Sequence, residues 1–363
     1  MSKSKRLKLV SVRLKPDMQP YKKAVLATSS DVAFSMLEEI SGFDENTIGV
    51  LNLNSKGEVI SLNLVTLNAF EKNMADVAAA SILSNCSHAI LISKDGPNRD
   101  RKVELTKRFQ ANMQMLSIPV FDHVSGYDAM KEKELAGIEG FISYAEKQYI
   151  DRGLSHPESV FLSEAANLKN VDADQKWLKL KIDRYFQNPD PEHELTKESA
   201  LNIIEHELSA MDREVVGVIS LDEEERPVNV SYAAIGDLDS AAANPREIFK
   251  VPLLSGADSV ILFHNHPSGH PDPSPQDKDV AKRLQYCGKI LGIELTDNVI
   301  IGKNKRYSFA AYGELSDPYE IDPDTGKLKE LQPEFKHAGV SAIPAHKIEI
   351  PEKKLEQDLK VDL

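Results

Sequence analysis

Short apolar, β-branched runs bounded by turn residues alternate along this chain with stretches whose apolar residues return at helical spacing. The run Val215-Val216-Gly217-Val218-Ile219-Ser220-Leu221 predicts a buried strand that turns over the acidic residues Glu223 to Glu225 into a second strand. Asp258-Ser259-Val260-Ile261-Leu262-Phe263 predicts another, and a loop, a helix and a further strand follow it. Helix, hairpin, helix, strand, loop, helix, strand is the pattern of an α/β or α+β layered domain, with a mixed sheet flanked by helices.

The same order is present earlier in the chain. Residues 217–228 lie over residues 49–60 without a gap, and the helix before them aligns Leu208 with Ile40 and Asp212 with Asp44. Farther on, residues 260–263 fall on 89–92, 291–293 on 116–118 and 297–299 on 122–124, with length changes confined to loops. Matching order across several elements predicts a tandem duplication, with residues 1–128 as one copy and 198–315 as the other. Between them, Leu135, Ile138, Ile142, Ala145 and Tyr149 recur at helical spacing, as do Trp177, Leu178, Ile182 and Tyr185, so residues 129–197 are expected to be a helical connector. Residues 316–363 are rich in Pro, Lys and acids, which predicts a flexible tail with a turn at Asp322-Pro323-Asp324-Thr325-Gly326.

At 363 residues and 41% hydrophobic content, the chain has room for about two globular domains. No apolar stretch approaches the roughly 20 residues that span a bilayer, and the N-terminus lacks the apolar segment and cleavage site of a secretory signal. A cytoplasmic location without membrane contact is therefore the expectation. Cys86 and Cys287 fall in helix-like segments and predict core packing, not a disulfide or a Cys-based metal site. The net charge of −13 argues against a broad grip on nucleic acid. Lys3, Lys5, Arg6, Lys8, Arg13 and Lys15 nevertheless crowd together at the start, where a solvated arm is expected and nucleic-acid contact is the lesser reading.

Candidate chemistry gathers just after the strand at 258–263. His264 and His266 are two residues apart on extended chain, so their side chains point the same way. Pro267, Gly269, Pro271, Pro273 and Pro275 stiffen the loop that follows. Ser274-Pro275-Gln276-Asp277 then resembles a helix start, with Ser274 as N-cap, Pro275 at the first helical position and Asp277 on the first turn. Two imidazoles and a carboxylate are the donor count of a catalytic zinc site, which keeps one further position for water. The same donors admit other divalent ions. His270 breaks the spacing and is expected to face solvent.

From His264 to Asp277 the chain matches HxHPxGxxxPSxxD in full, and in this it resembles the MPN/JAB metalloenzymes, whose JAMM motif this is. Asn244-Pro245-Arg246-Glu247-Ile248-Phe249 ahead of the motif and residues 291–301 after it are similar to the RadC branch of that superfamily, and the likeness covers about residues 200–315. The resemblance implies a cytidine-deaminase-like MPN fold with one zinc ion at the sheet end, held by His264, His266 and Asp277. It also implies a glutamate on an earlier strand that exchanges protons with water and the leaving amine. Glu214, eight residues before Asp222, matches that pattern. Ser274 would donate a hydrogen bond to the developing oxyanion, a role compatible with its reading as a cap. The implied activity is hydrolysis of a peptide or isopeptide bond in a protein or peptide substrate.

Under the duplication alignment Asn46 stands for Glu214, Ser93 for His264 and Asp95 for His266, while residues 96–100 replace the metal loop. Such a set holds no metal, so the first copy is expected to be degenerate, with a structural or partner-binding role. Catalytic and inert MPN domains pair in related assemblies, and the resemblance implies such pairing within the chain or as a homodimer. A competing reading is a RadC-like accessory protein in DNA repair or mobile-element biology that lacks peptidase activity; its grounds are the RadC likeness and the basic N-terminus.

Overall fold

The β-branched runs build two mixed sheets in the computed structural model, which describes residues 6–16, 19–26, 28–126, 141–150, 177–190, 192–209, 211–236, 244–315, 319–321 and 328–330. The chain begins with β1 (Arg6–Leu14), β2 (Lys22–Val25) and the short helices α1 (Ser29–Ser35) and α2 (Leu37–Gly42). A hairpin of β3 (Thr47–Leu53) and β4 (Glu58–Thr66) leads to α3 (Leu67–Lys72), α4 (Met74–Leu83), β5 (His88–Lys94), α5 (Arg99–Met115), β6 (Val120–Gly126) and β7 (Phe141–Ser143). After β8 (Leu178–Gln187) come α6 (Lys197–Leu208), the hairpin β9 (Val215–Leu221) and β10 (Pro227–Ile235), α7 (Pro245–Ser255) and β11 (Ser259–Asn265). α8 (Pro275–Leu291), β12 (Glu294–Ile301) and β13 (Arg306–Ser308) follow, and β14 (Tyr319–Ile321) pairs with β15 (Leu328–Glu330).

Among the described residues the strand orders are β2-β4-β3-β5-β6-β7 and β13-β12-β11-β9-β10-β1-β8. The run β4-β3-β5-β6-β7 has the same order and senses as β10-β9-β11-β12-β13, with β5–β6 and β11–β12 parallel and the other neighbours antiparallel. A side-chain motif recurs with them. Asp122 accepts from Ser143 Oγ at 2.6 Å and the Ala145 amide at 2.9 Å, while Asp297 accepts from Ser308 Oγ at 2.6 Å and the Ala310 amide at 3.0 Å. Left-handed residues also sit in matching places after the helices, Asn85 with Gly256 and Ser117 with Gly292.

Helices α4, α7 and α8 pack on one another, so one apolar cluster runs from Val77 and Ala78 to Phe249, Leu253 and Leu284. Two guanidinium groups fasten this seam: Arg246 Nη1 donates to Cys86 O at 2.9 Å and Arg283 Nη2 to Ser117 Oγ at 2.8 Å. Cys86 and Cys287 are buried and free, and burial pushes both thiols up to about 12. Among the described residues no helix is long and apolar enough to cross a membrane.

Three expectations from the sequence meet a different outcome. Leu178, Ile182 and Tyr185 lie in strand β8, which Trp177 immediately precedes, not in an amphipathic helix. Leu178, Leu180 and Ile182 alternate strictly with Lys179, Lys181 and Asp183, which is the strand period, and β1 supplies the pairing partner. Ile142, read as helical, lies in β7, and Ala145 and Tyr149 lie in the turns that follow it; Leu135 and Ile138 are outside the described residues. Arg6, Lys8 and Arg13, read as part of a solvated arm, belong to β1, which pairs parallel to β10 and antiparallel to β8 in the second sheet. Of the expected tail, the described residues form β14 and β15 and the remainder lies outside them.

Gly217 shows how tightly the second sheet is packed. A Cβ there would stand 2.3 Å from Phe263 Cζ and 2.6 Å from Ser231 O. Gly217→Ala is expected to destabilise the protein by about 3 kcal/mol, the upper range for overpacking, with a fall in the urea midpoint as the measurement. An unchanged midpoint would contradict this packing.

His123 on β6 has no exposed surface, and burial, reinforced by the charge of Lys102, pushes its imidazole down to about 3. The folded state thus resists protonation while the unfolded chain binds a proton below its ordinary value of about 6.5. The resulting stability is complete above that value and is lost as pH falls towards 3. Urea midpoints between pH 7 and pH 5 are expected to fall less in His123→Gln than in wild type; equal falls would remove His123 as the source.

Candidate metal centre

Strand β11 carries His264 at its end and directs it to the same side as His266, the next residue but one. β11 runs between β9 and β12, with His264 opposite Val216 and Ile300, so its imidazole is 4% exposed and its backbone is held on both edges. The two Nε2 atoms stand 3.2 Å apart. His266 Nδ1 lies 2.7 Å from the carbonyl oxygen of His270, a contact that only an N–H can make. That bond fixes the tautomer and leaves the His266 Nε2 lone pair facing His264. His270 itself is exposed, as expected; its backbone does the work.

Asp277 arrives from α8. Ser274 caps that helix, accepting from the Asp277 amide at 3.2 Å, while Asp277 Oδ2 accepts from the Ser274 amide at 2.7 Å and from Ser274 Oγ at 2.5 Å. This capping box, with Pro275 in the first turn, aims the free Oδ1 at the histidines, 3.3 Å from His264 Nε2. Burial pushes the Asp277 carboxyl up, but the bonds from His264 and Ser274 outweigh it and hold the group well below the usual carboxylate range. It is therefore an anion at neutral pH.

Glu214 stands immediately before β9 and brings Oε1 to 3.8 Å from His266 Nε2. Asn265, between the two histidines, secures it: Oδ1 accepts from the Val215 amide at 2.8 Å and Nδ2 donates to Arg213 O at 3.1 Å. One buried amide thus grips the backbone on either side of Glu214. Sequence reasoning left Asn265 unassigned between the two histidines, and its burial and backbone contacts become visible only in the structure.

Two carboxylates therefore meet the imidazole pair. Donors about 2.0–2.1 Å from a tetrahedral ion stand roughly 3.3 Å apart; the two Nε2 atoms are 3.2 Å apart and Asp277 Oδ1 is 3.3 Å from His264 Nε2, while His266 Nε2 lies 3.7 Å from Asp277 Oδ2. Their chemistry and spacing suit zinc. Glu214 also lies close enough to join a cluster with both histidines, but at 3.8 Å it is the more distant carboxylate from the pair. The loop between is clamped by the β12–β13 turn: Lys303 N donates to Gly269 O at 2.9 Å, and a Cβ on Gly302 would stand 2.6 Å from that oxygen. Gly302→Ala is expected to displace the loop and weaken zinc affinity by about 10–100-fold, as loss of a supporting contact does. Titration against a zinc indicator measures this, and wild-type affinity would show that the clamp is unnecessary.

A family model for the RadC-like JAB domain matches residues 195–314. A UPF0758 protein of Clostridium acetobutylicum is 30% identical over 220 residues, covering 57% of this chain and 90% of the relative. The chain belongs to the RadC-like JAB family. Another UPF0758 protein, from Caldanaerobacter subterraneus, is 33% identical over 183 residues, covering 48% of this chain and 78% of the relative. A third, from Desulfitobacterium hafniense, is 41% identical over 114 residues, which are 31% of this chain and 50% of the relative. The RadC-like match contains every residue of the site, from Glu214 to Asp277.

Proposed function

We propose that this RadC-like protein is a metal-dependent hydrolase of the JAMM type that cleaves a peptide or isopeptide bond. The observation that carries the reading is the convergence of His264 Nε2, His266 Nε2 and Asp277 Oδ1 at one sheet end, with the Glu214 carboxylate beside them. His264, His266 and Asp277 would hold one zinc ion, which supplies Lewis acidity and brings ionisation of a water molecule near neutral pH. Glu214 Oε1 takes one proton from the attacking water, whose oxygen bonds to the scissile carbonyl carbon. Glu214 then gives that proton to the departing nitrogen as the C–N bond breaks, and the water's second proton leaves the new carboxyl group for the amine, giving a carboxylate and an ammonium. Ser274 Oγ, turned from Asp277, donates to the oxyanion in between. Asn265 keeps the Glu214 backbone fixed through these transfers.

In this reading the first copy is a degenerate JAB-like domain that stabilises the second. The shared strand order, the repeated aspartate–serine motif and the seam of α4 against α7 and α8 support it. Hydrolysis of peptide and isopeptide libraries is the test: cleavage that a chelator abolishes and zinc restores supports the proposal, and zinc-loaded protein that cleaves neither class opposes it. One observation favours the accessory reading, namely that Arg13 and Lys179 face each other across β1 and β8, with Lys181 and Lys8 on the same ribbon. DNA binding that weakens with salt would speak for it.

A further inference from the structure

We infer that the Lys102 ammonium is the resident cation of the first copy, placed at the sheet end where the second copy presents its metal ligands. The inference rests on the duplication reading above. Lys102 lies fifteen residues before the left-handed Ser117, and Asp277 lies fifteen before the left-handed Gly292. Each sits on the first turn of the helix that follows the corresponding strand of its sheet, α5 after β5 and α8 after β11. Both are buried, at 0% and 5% exposure.

A lysine in that place is doubly disfavoured. Burial strips the ammonium of water, and the positive end of the helix dipole repels it. Something must compensate, and the surrounding groups do. Lys102 Nζ donates to Lys94 O, at the end of β5, at 2.5 Å. Burial lowers its proton affinity below the ordinary lysine value, and attraction from Asp95, Glu45 and Asp44, in that order, offsets part of that loss. Asp95 is the counterpart of His266; its side chain is 6% exposed and is also ion-paired with Arg99, whose Nε donates to Oδ1 at 2.8 Å. Glu45 lies over the replacement loop, its carboxyl carbon 3.2 Å from where a Cβ on Gly96 would be.

The other counterparts are satisfied internally. Asn46, at the Glu214 position, accepts from Asn98 Nδ2 at 3.0 Å, and Ser93, at the His264 position, meets His123 Nε2 at 2.8 Å. Where the second copy gathers lone pairs and negative charge for an external cation, the first copy supplies its own on a side chain. It therefore folds without a metal ion, and the same residues that make Lys102 tolerable leave no donor set for zinc.

The test replaces the charge while keeping the shape. Lys102→Met is expected to raise the unfolding equilibrium constant at pH 7 by about tenfold or more, because Lys94 O loses its buried donor and Asp95, Glu45 and Asp44 lose an attracting charge. Wild-type or greater stability would overturn the inference, since removing a merely buried amine saves its desolvation. Should Lys102→Met not accumulate folded, NMR of the Lys102 Nζ group in the wild-type protein decides. A protonated ammonium protected from solvent exchange at pH 7 is expected, and a neutral amine would overturn the inference. Zinc content of the wild-type protein tests the second copy separately, so the two readings fail independently.

Discussion

Replacing Asp277 with alanine is expected to abolish stoichiometric zinc binding. Of the two carboxylates at the imidazole pair, Asp277 is the nearer, 3.3 Å from His264 Nε2, and without it only the more distant Glu214, 3.8 Å from His266 Nε2, is left to balance a divalent charge. Losing a contact that only supports a ligand already costs about 10–100-fold in affinity, so losing the ligand itself is expected to exceed about 100-fold. Asp277 also closes the capping box of α8, so the alanine variant loses about 1 kcal/mol of stability as well. Asp277→Asn separates the two effects: its amide oxygen can still accept from the Ser274 amide, but its charge is gone. Metal analysis after dialysis, with thermal unfolding of each variant, is the measurement. Full zinc occupancy in Asp277→Asn would show that the carboxylate is not a ligand.

Glu214→Gln is expected to behave oppositely. Glu214 Oε1 stands 3.8 Å from His266 Nε2, farther than Asp277 from the histidines, and Asn265 holds its backbone whether the side chain is acid or amide. The variant should keep its zinc and its stability but lose the group that carries the proton between water and leaving amine. A loss of about 10²–10⁴-fold in turnover is expected, the usual contribution of a positioned acid/base. Steady-state rates on a cleaved library member, beside metal analysis of the same sample, check both halves. Unchanged turnover would remove Glu214 from the chemistry, and lost zinc would make it a ligand.

The motif residues were readable because their spacing has local geometric meaning. A two-residue step on a strand aligns His264 with His266, and Ser-Pro before Gln-Asp marks a helix start, so both features survive into the structure unchanged. The hairpins and the central strands were readable for the same reason. What escaped depends on distant partners. β1 and β8 are separated by more than 160 residues of sequence yet pair from Arg6–Gln187 to Leu14–Leu178, and Trp177 with Tyr185 invited a helical period that the Leu-Lys alternation overrules. Asn265 and the His270 carbonyl act through backbone contacts that no side-chain pattern announces. Lys102 carries no signal in the sequence, because its burial is created by the sheet end beneath it.

Crystals of the full chain grown with zinc, measured at the zinc absorption edge, give the most direct decision. The account predicts one anomalous peak per chain in contact with His264 Nε2, His266 Nε2 and Asp277 Oδ1, and none beside Lys102. Zinc absent from these three side chains, or bound at the Lys102 end of the first sheet, would contradict it.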